Sequence, residues 1–109
     1  YDFLRHNGVD VTQARGGGFV ETQVMKSSPR ENRGEWERAS PIRWIAPDAP
    51  PFFVIHGAHD SLAWPEGARE FVAALRATSR APVAYAELPA AQHAFDLFWS
   101  PRCGHTVQA

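Results

Sequence analysis

The sequence predicts an α/β fold, with parallel strands at about 52–56 and 83–88 that are joined by a helix at about 65–79. Three features support this prediction. The run FFVI in the first strand has no polar interruption, which is typical of a strand buried on both faces. Apolar residues in the middle segment recur with the period of a helix. Residues 83–88 show the alternation of residue types that is typical of a strand. A strand, a helix and a strand in this order form a right-handed unit with parallel strands.

The size and composition of the chain indicate one soluble globular domain. It has 109 residues, of which 44% are hydrophobic, and its formal net charge is -1. The 11 basic and 12 acidic residues are interspersed, without the basic stripe that binds phosphate backbones, so nucleic acid is excluded as a partner. No run of about 18 apolar residues occurs, so no membrane span is expected. Cys103 is the only cysteine, which excludes an internal disulfide.

The first half of the chain is predicted to consist of loops and short helices. Residues 1–18 are rich in glycine and polar residues and are expected to form a loop. Apolar residues at roughly helical spacing predict a short amphipathic helix at 19–25. Asn32 is a suitable N-cap for a second short helix, which ends at Ser40 because a proline follows. Recurrent prolines then indicate an extended segment over 42–51.

The crossover helix and the segment after the second strand have recognisable boundaries. The helix begins at Pro65, because proline is favoured at the first helical position, and ends near Ser79, shortly before another proline. Its apolar face, at the spacing i, i+3, i+4 and i+7, consists of Ala68, Phe71, Val72 and Leu75. After the second strand we expect a loop and the opening turns of a further helix, with Asp96 near its start and Pro101 and Gly104 as interruptions.

Polar residues that are capable of catalysis follow both strands. His56, His59 and Asp60 lie at or beyond the end of the first strand, and His93 lies in the loop after the second. Neighbouring parallel strands lie about 4.8 Å apart and their carboxyl ends open onto one edge of a sheet, so Asp60 and His93 are predicted to meet. A carboxylate that accepts a hydrogen bond from one imidazole nitrogen leaves the other nitrogen free to take a proton from a nucleophile. The pair would supply two of the three residues of a catalytic triad.

These motifs resemble those of a known family. PFFVIHGAHD, a helix and VAYAELPAAQHAFD, within about residues 40–100, look like the C-terminal part of α/β-hydrolase esterases and lipases, close to the hormone-sensitive-lipase-like group. The resemblance implies that Asp60 is the catalytic acid and His93 the catalytic base of a Ser-Asp-His triad in a carboxylic ester hydrolase. It also implies the C-terminal portion of an α/β-hydrolase fold, with residues 1–45 as a lid or connecting region and 46–109 as the unit that carries both loops. No cofactor and no metal are expected.

The chain differs from that family because it lacks the nucleophile motif. No G-x-S-x-G surrounds any of its serines, and no HGGG oxyanion loop occurs, so the nucleophile is not part of this sequence. We therefore expect the last third or so of a serine hydrolase, inactive by itself and dependent on the missing N-terminal half of the fold. The start at Tyr1 favours a position within a longer protein. Because no signal peptide is visible, a cytoplasmic location is expected, and the expected partner is a small-molecule ester.

Alternatives are open for the function and for single residues. A peptidase or thioesterase of the same fold ends with similar motifs, and a non-catalytic α/β fragment would also lack the nucleophile. His56, His59, Asp60 and His93 offer ligand atoms for zinc, although an H-x-x-H pair in a turn is a poor chelate. Asp60 also suits the capping of the turn that leads into the helix. His56 is expected to make a structural hydrogen bond behind the acid loop, and His59 is expected to be exposed.

Overall fold

The structure is a computed structural model that describes residues 20–108. Short helical segments are followed by a strand, a long helix, a second strand and a C-terminal helix. The α-helices are α1 (Arg33–Ala39), α2 (Pro65–Thr78) and α3 (Pro101–Gln108), and the strands are β1 (Phe52–Gly57) and β2 (Val83–Leu88). The predicted loop at 1–18 and Phe19 lie outside the described residues. None of the helices between residues 20 and 108 has the length and apolar character that a membrane crossing needs.

The two strands form one parallel sheet, as predicted. They pair in register from Phe52 opposite Val83 to Gly57 opposite Leu88. β1 continues one residue beyond its predicted end at His56, and β2 has the predicted bounds. The α/β class of the described residues is therefore confirmed. Because both strands end at the same level, the loops that leave them start side by side.

α2 covers one face of this sheet. Pro65 stands in its first turn as predicted, and its buried apolar side chains are those of Ala68, Val72 and Leu75. The ring of Phe71 meets the ring of Phe52 edge-on, with the ring centroids 6.0 Å apart. The helix ends at Thr78, one residue before its predicted end, and Ser79 caps it by donating its N–H to the carbonyl of Leu75.

The other face of the sheet is open at Phe53 among the described residues. Side chains alternate along a strand, so Phe53 points away from the face that carries Phe52 and α2, and it is 52% exposed. Its register partner on β2, Ala84, is exposed as well. The prediction that β1 is buried on both faces is therefore wrong for the described part of the chain, because one crossover helix covers only one face of a parallel sheet.

α1 is capped as predicted and is anchored by a buried tryptophan. The side chain of Asn32 accepts the backbone N–H of Glu35 at 3.4 Å. The indole of Trp36 is 4% exposed and donates to the carbonyl of Ser27 at 3.1 Å. Ser40 ends the helix, is fully buried, and donates its hydroxyl to the carbonyl of Trp36 at 2.8 Å. A helix of only seven residues depends on such tertiary contacts, because its backbone propensity is too weak to stabilise it.

The structure corrects two predictions for the first half of the chain. Val20–Met25 is helical as predicted, but it is a π-helical segment, and none of its residues is buried as the apolar face of an amphipathic helix would be. Pro41–Trp44 forms a short 3-10 helix where an extended segment was expected. The reason is that Pro41 stands in its first turn, where the fixed φ of proline suits a helix and its missing N–H is not needed.

The C-terminal helix begins where the sequence suggested an interruption. Residues 93–98 form turns and bends rather than a helix started by Asp96, and α3 starts at Pro101. Proline again occupies the position where an absent N–H has no cost. Gly104 lies inside α3 and does not interrupt it. The indole of Trp99 occupies the space that a side chain would need there, since an added Cβ would lie 2.9 Å from that ring.

Residues 1–109 expressed by themselves are expected to bind a hydrophobic dye such as ANS and to melt without a sharp transition. The physical reason is the open apolar face of the sheet, since two strands with a single helix are marginally stable in water. Phe53→Thr is expected to lower the dye fluorescence while the far-UV circular dichroism stays the same. A sharp cooperative melt with little dye binding would contradict this expectation.

Candidate active site

Asp60 closes the turn that connects β1 to α2. Its backbone N–H donates to the carbonyl of Gly57 at 3.2 Å. Its side-chain Oδ1 accepts the backbone N–H groups of Leu62, at 2.9 Å, and of Ala63, at 2.7 Å. The residue is buried, with 7% of its surface exposed. The prediction that Asp60 caps the turn leading into the helix is confirmed, and these two bonds to Oδ1 also orient the second carboxylate oxygen.

That second oxygen binds His93. Nδ1 of His93 lies 2.9 Å from Oδ2 of Asp60, which confirms that the two side chains meet. A carboxylate only accepts hydrogen bonds, so Nδ1 is the donor, and in a neutral ring Nε2 is the nitrogen without a proton. The side chain of His93 is 47% exposed, whereas that of Asp60 is 5% exposed. The pair therefore combines an accessible imidazole with a buried carboxylate.

The surroundings of Asp60 lower its pKa. The largest single influence is burial, which disfavours the charged form and acts in the opposite direction. The N–H of Ala63, the imidazole of His93 and the N–H of Leu62 together outweigh it, so the pKa of the carboxyl lies below its ordinary value. Asp60 is therefore ionised at neutral pH, as a carboxylate that stabilises an imidazolium has to be.

Gly57 allows the two site loops to touch. The N–H of Ala58 donates to the carbonyl of Leu88, and the N–H of His59 donates to the carbonyl of Ala91, both at 2.9 Å. A Cβ on Gly57 would lie 2.6 Å from the carbonyl oxygen of Ala91, which is closer than real Cβ contacts. Sequence reasoning identified Gly57 only as the end of the strand. The signal for this close approach was the pairing of that glycine with the small residues of PAAQH in the facing loop.

The backbone on both sides of His93 is strained. Ala90 and Ala94 have φ angles of 55° and 52°, in the left-handed region that residues with a side chain rarely adopt. Such conformations persist where surrounding contacts over-determine them, and they are common at functional sites. Neither position carries the glycine or asparagine that would have marked it in the sequence, so sequence reasoning did not find it. The loop around His93 is therefore held in shape by its contacts.

An open cavity adjoins the pair. Its volume is about 500 Å³, and its lining includes Asp60 and His93 together with the apolar side chains of Ile55, Phe95 and Val107. The rest of its lining is largely polar, and the cavity is open to solvent. The imidazole is therefore within reach of a molecule bound at this edge of the sheet.

The other two histidines considered as site residues, His56 and His59, lie where the sequence predicted. Nε2 of His56 lies 2.7 Å from the carbonyl oxygen of Ala63, which confirms the hydrogen bond expected behind the acid loop. His59 is exposed, as predicted. Among residues 20–108, no group of three or more His, Cys, Asp or Glu side chains is arranged to hold a metal ion, so the zinc alternative has no support there.

Comparison with known proteins assigns the chain to a family. The BD-FAE family model matches residues 2–75. The chain belongs to the BD-FAE family. The match includes Asp60 and stops before His93. It also extends much further upstream than the segment, about 40–100, in which the sequence motifs showed a resemblance.

Three proteins of Mycobacterium tuberculosis are similar to this BD-FAE chain. It is 46% identical over its whole length to "Probable carboxylic ester hydrolase LipM", of which it covers 25%. It is 49% identical over 84% of its length to "Esterase LipQ", and 43% identical over 89% of its length to "Esterase LipC", of which it covers 22% and 24%. The chain thus spans about a quarter of the length of these relatives, and the predicted resemblance to esterases and lipases is confirmed. No solved structure matches it.

Gly57→Ala is expected to force apart the two loops of this BD-FAE site. The added methyl group has no space beside the carbonyl of Ala91, so overpacking should lower the free energy of unfolding by about 1–3 kcal/mol. Urea unfolding of the protein at its natural full length measures the change. Gly34→Ala is the matched control: its Cβ meets only the side chain of Arg38, at an ordinary 3.5 Å, so it should be neutral or stabilising by up to about 1 kcal/mol. Equal effects of the two variants would show that the loops do not depend on the contact at Gly57.

The lowered pKa of Asp60 predicts how stability depends on pH. A carboxyl with a lower pKa in the folded state stabilises the fold above its unfolded pKa, about 3.9, and this stabilisation disappears as the pH falls through the folded value. The difference in unfolding free energy between the wild type and Asp60→Asn should therefore shrink as the pH falls below about 4. Asp48→Asn, at an exposed position, controls for the loss of one charge. A difference that stays constant down to about pH 2 would show that the folded protein does not lower this pKa.

Proposed function

We propose that this chain supplies the acid and the base of a Ser-Asp-His triad in a carboxylic ester hydrolase. The observation that carries the proposal is the 2.9 Å hydrogen bond between Asp60 and His93 at the ends of two neighbouring parallel strands. The names of the three Mycobacterium tuberculosis relatives support an ester as the substrate. An α/β-hydrolase fold for the whole protein is part of the proposal, and the parallel strands with their crossover helix are compatible with it.

In the proposed reaction the two residues have separate roles. His93 takes the proton of a serine hydroxyl with Nε2 while the serine oxygen attacks the carbonyl carbon of the ester. Asp60 stays ionised, holds Nδ1–H and stabilises the imidazolium that forms. His93 then donates the proton to the leaving alcohol, and an acyl-enzyme forms. Water hydrolyses this intermediate in the same way, with His93 as the base in the attack and the acid in the departure of serine.

The serine in this scheme lies outside the present sequence, because no G-x-S-x-G occurs in it. The oxyanion donors have to come from the same missing part. We therefore propose that residues 46–109 carry the acid and histidine loops of a longer enzyme and that residues 1–45 belong to a lid or connecting region. Two further statements are predictions from the sequence: that the partner is a small-molecule ester and that the protein is cytoplasmic.

Asp60→Asn and His93→Ala are expected to lower kcat for ester hydrolysis by about 10³- to 10⁴-fold each, because either change removes the oriented base. The measurement is the hydrolysis of a series of p-nitrophenyl esters by the protein at its natural full length. The two effects should not add in the double variant, since both residues act as one unit.

Control substitutions of the same residue types distinguish the loss of the candidate site from the general effect of replacing an aspartate or a histidine. Asp48→Asn and His105→Ala alter the same residue types at exposed positions outside the pair, and ester turnover should stay within about twofold of the wild type. Circular dichroism and thermal melting establish that each variant is folded. Undiminished turnover in folded His93→Ala would remove His93 from the reaction and with it the proposed triad.

A further inference from the structure

We propose that His56 is a positioning residue for Asp60, which it orients by holding the peptide group of Ala63. The inference rests on the proposed function, because the orientation of Asp60 matters to a reaction only if Asp60 and His93 act as a catalytic pair. It extends that function by adding a third side chain of this chain to the site. Its imidazole binds Ala63 and lies next to Asp60, so its contribution passes through Asp60.

The geometry of the acid turn carries the inference. Ala63 binds Asp60 with its N–H, which donates to Oδ1 at 2.7 Å, and it binds His56 with its carbonyl, which lies 2.7 Å from Nε2. A carbonyl oxygen only accepts, so Nε2 of His56 is the donor. The same nitrogen lies 3.4 Å from Oδ2 of Asp60, the oxygen that binds His93. His56 and Asp60 are thus connected twice, directly and through one peptide group.

The position of His56 makes it a firm anchor. It belongs to β1, so its backbone is fixed by the sheet, whereas Leu62 and Ala63 belong to a turn. Its side chain is 15% exposed. Without the imidazole, the peptide of Ala63 would lose its attachment to the strand. The carboxylate of Asp60 would then be held by the turn and by His93 without this link to β1, and small displacements of a catalytic group are costly because the reacting atoms need a narrow range of distances.

A competing acceptor for His56 is already occupied. Glu87 is its register partner on β2 and lies on the same face of the sheet. Arg69 binds both oxygens of Glu87, at 2.8 and 2.6 Å, and the hydroxyl of Tyr85 donates to Oε2 at 2.8 Å. The bonds from Arg69, and then that from Tyr85, lower the pKa of Glu87 to about 2. These bonds hold the carboxylate of Glu87 toward Arg69 and Tyr85, and the donor of His56 binds Ala63.

The test compares two substitutions of His56 in the protein at its natural full length. His56→Leu places an apolar side chain of similar size there and removes the donor, so kcat for ester hydrolysis should fall about 10- to 100-fold while KM stays within about twofold. His56→Gln places an amide N–H near the former Nε2, so kcat should stay within about threefold of the wild type. His59→Leu, at an exposed position three residues away, is the matched control and should leave kcat unchanged.

A double variant separates positioning from a general loss of stability. In the background of Asp60→Asn, His56→Leu should lower the residual kcat by less than about twofold, because a residue that acts through Asp60 has nothing left to orient. Turnover is referred to the folded fraction, which thermal melting gives for each variant. A full drop in kcat in the Asp60→Asn background, or a kcat of His56→Leu equal to that of the wild type, would overturn the inference.

These experiments distinguish a failure of this inference from a failure of the proposed function. If Asp60→Asn and His93→Ala lower turnover strongly and His56→Leu does not, the triad stands and the role of His56 is wrong. If Asp60→Asn leaves turnover unchanged, the proposed function fails, and the positioning of Asp60 by His56 fails with it as an explanation of activity.

Discussion

The hydrogen bond between Asp60 and His93 joins two loops, and these two residues are 33 positions apart in the sequence. It forms because β1 and β2 are parallel and in register, so that both strands end at one edge of the sheet. It also needs the absence of a side chain at Gly57, where the backbone of the second loop rests. Strand pairing sets the coarse position of the two loops, and the glycine contact allows them to come within hydrogen-bonding distance.

The carboxylate of Asp60 serves the fold and the site with different oxygens. Oδ1 closes the turn before α2 through two backbone N–H groups, and Oδ2 binds the imidazole of His93. Burial by itself would favour the neutral acid, and the donors around the carboxylate reverse that preference. Structural and catalytic explanations of this residue are therefore not alternatives. The turn orients the carboxylate that the histidine needs.

The arrangement of the site is separate from the incomplete covering of the sheet. α2 packs on one face, and the face that carries Phe53 is open among the described residues. The contacts that bring Asp60 to His93 lie at the ends of the strands and between the two loops, and none of them involves Phe53. The exposure of Phe53 and the geometry of the site therefore concern different parts of the chain, as is common where a site is built on loops at the edge of a sheet.

The sequence by itself determined the two strands, the crossover helix and the order of acid and histidine, because these depend on local periodicity and on residues such as Pro65 that mark a helix start. It also indicated that Asp60 would cap its turn. Tertiary structure decided the form of Val20–Met25, which is a π-helical segment without a buried residue. It decided the contact at Gly57 and the left-handed backbone at Ala90 and Ala94, because both arise from loops that meet only after the strands have paired.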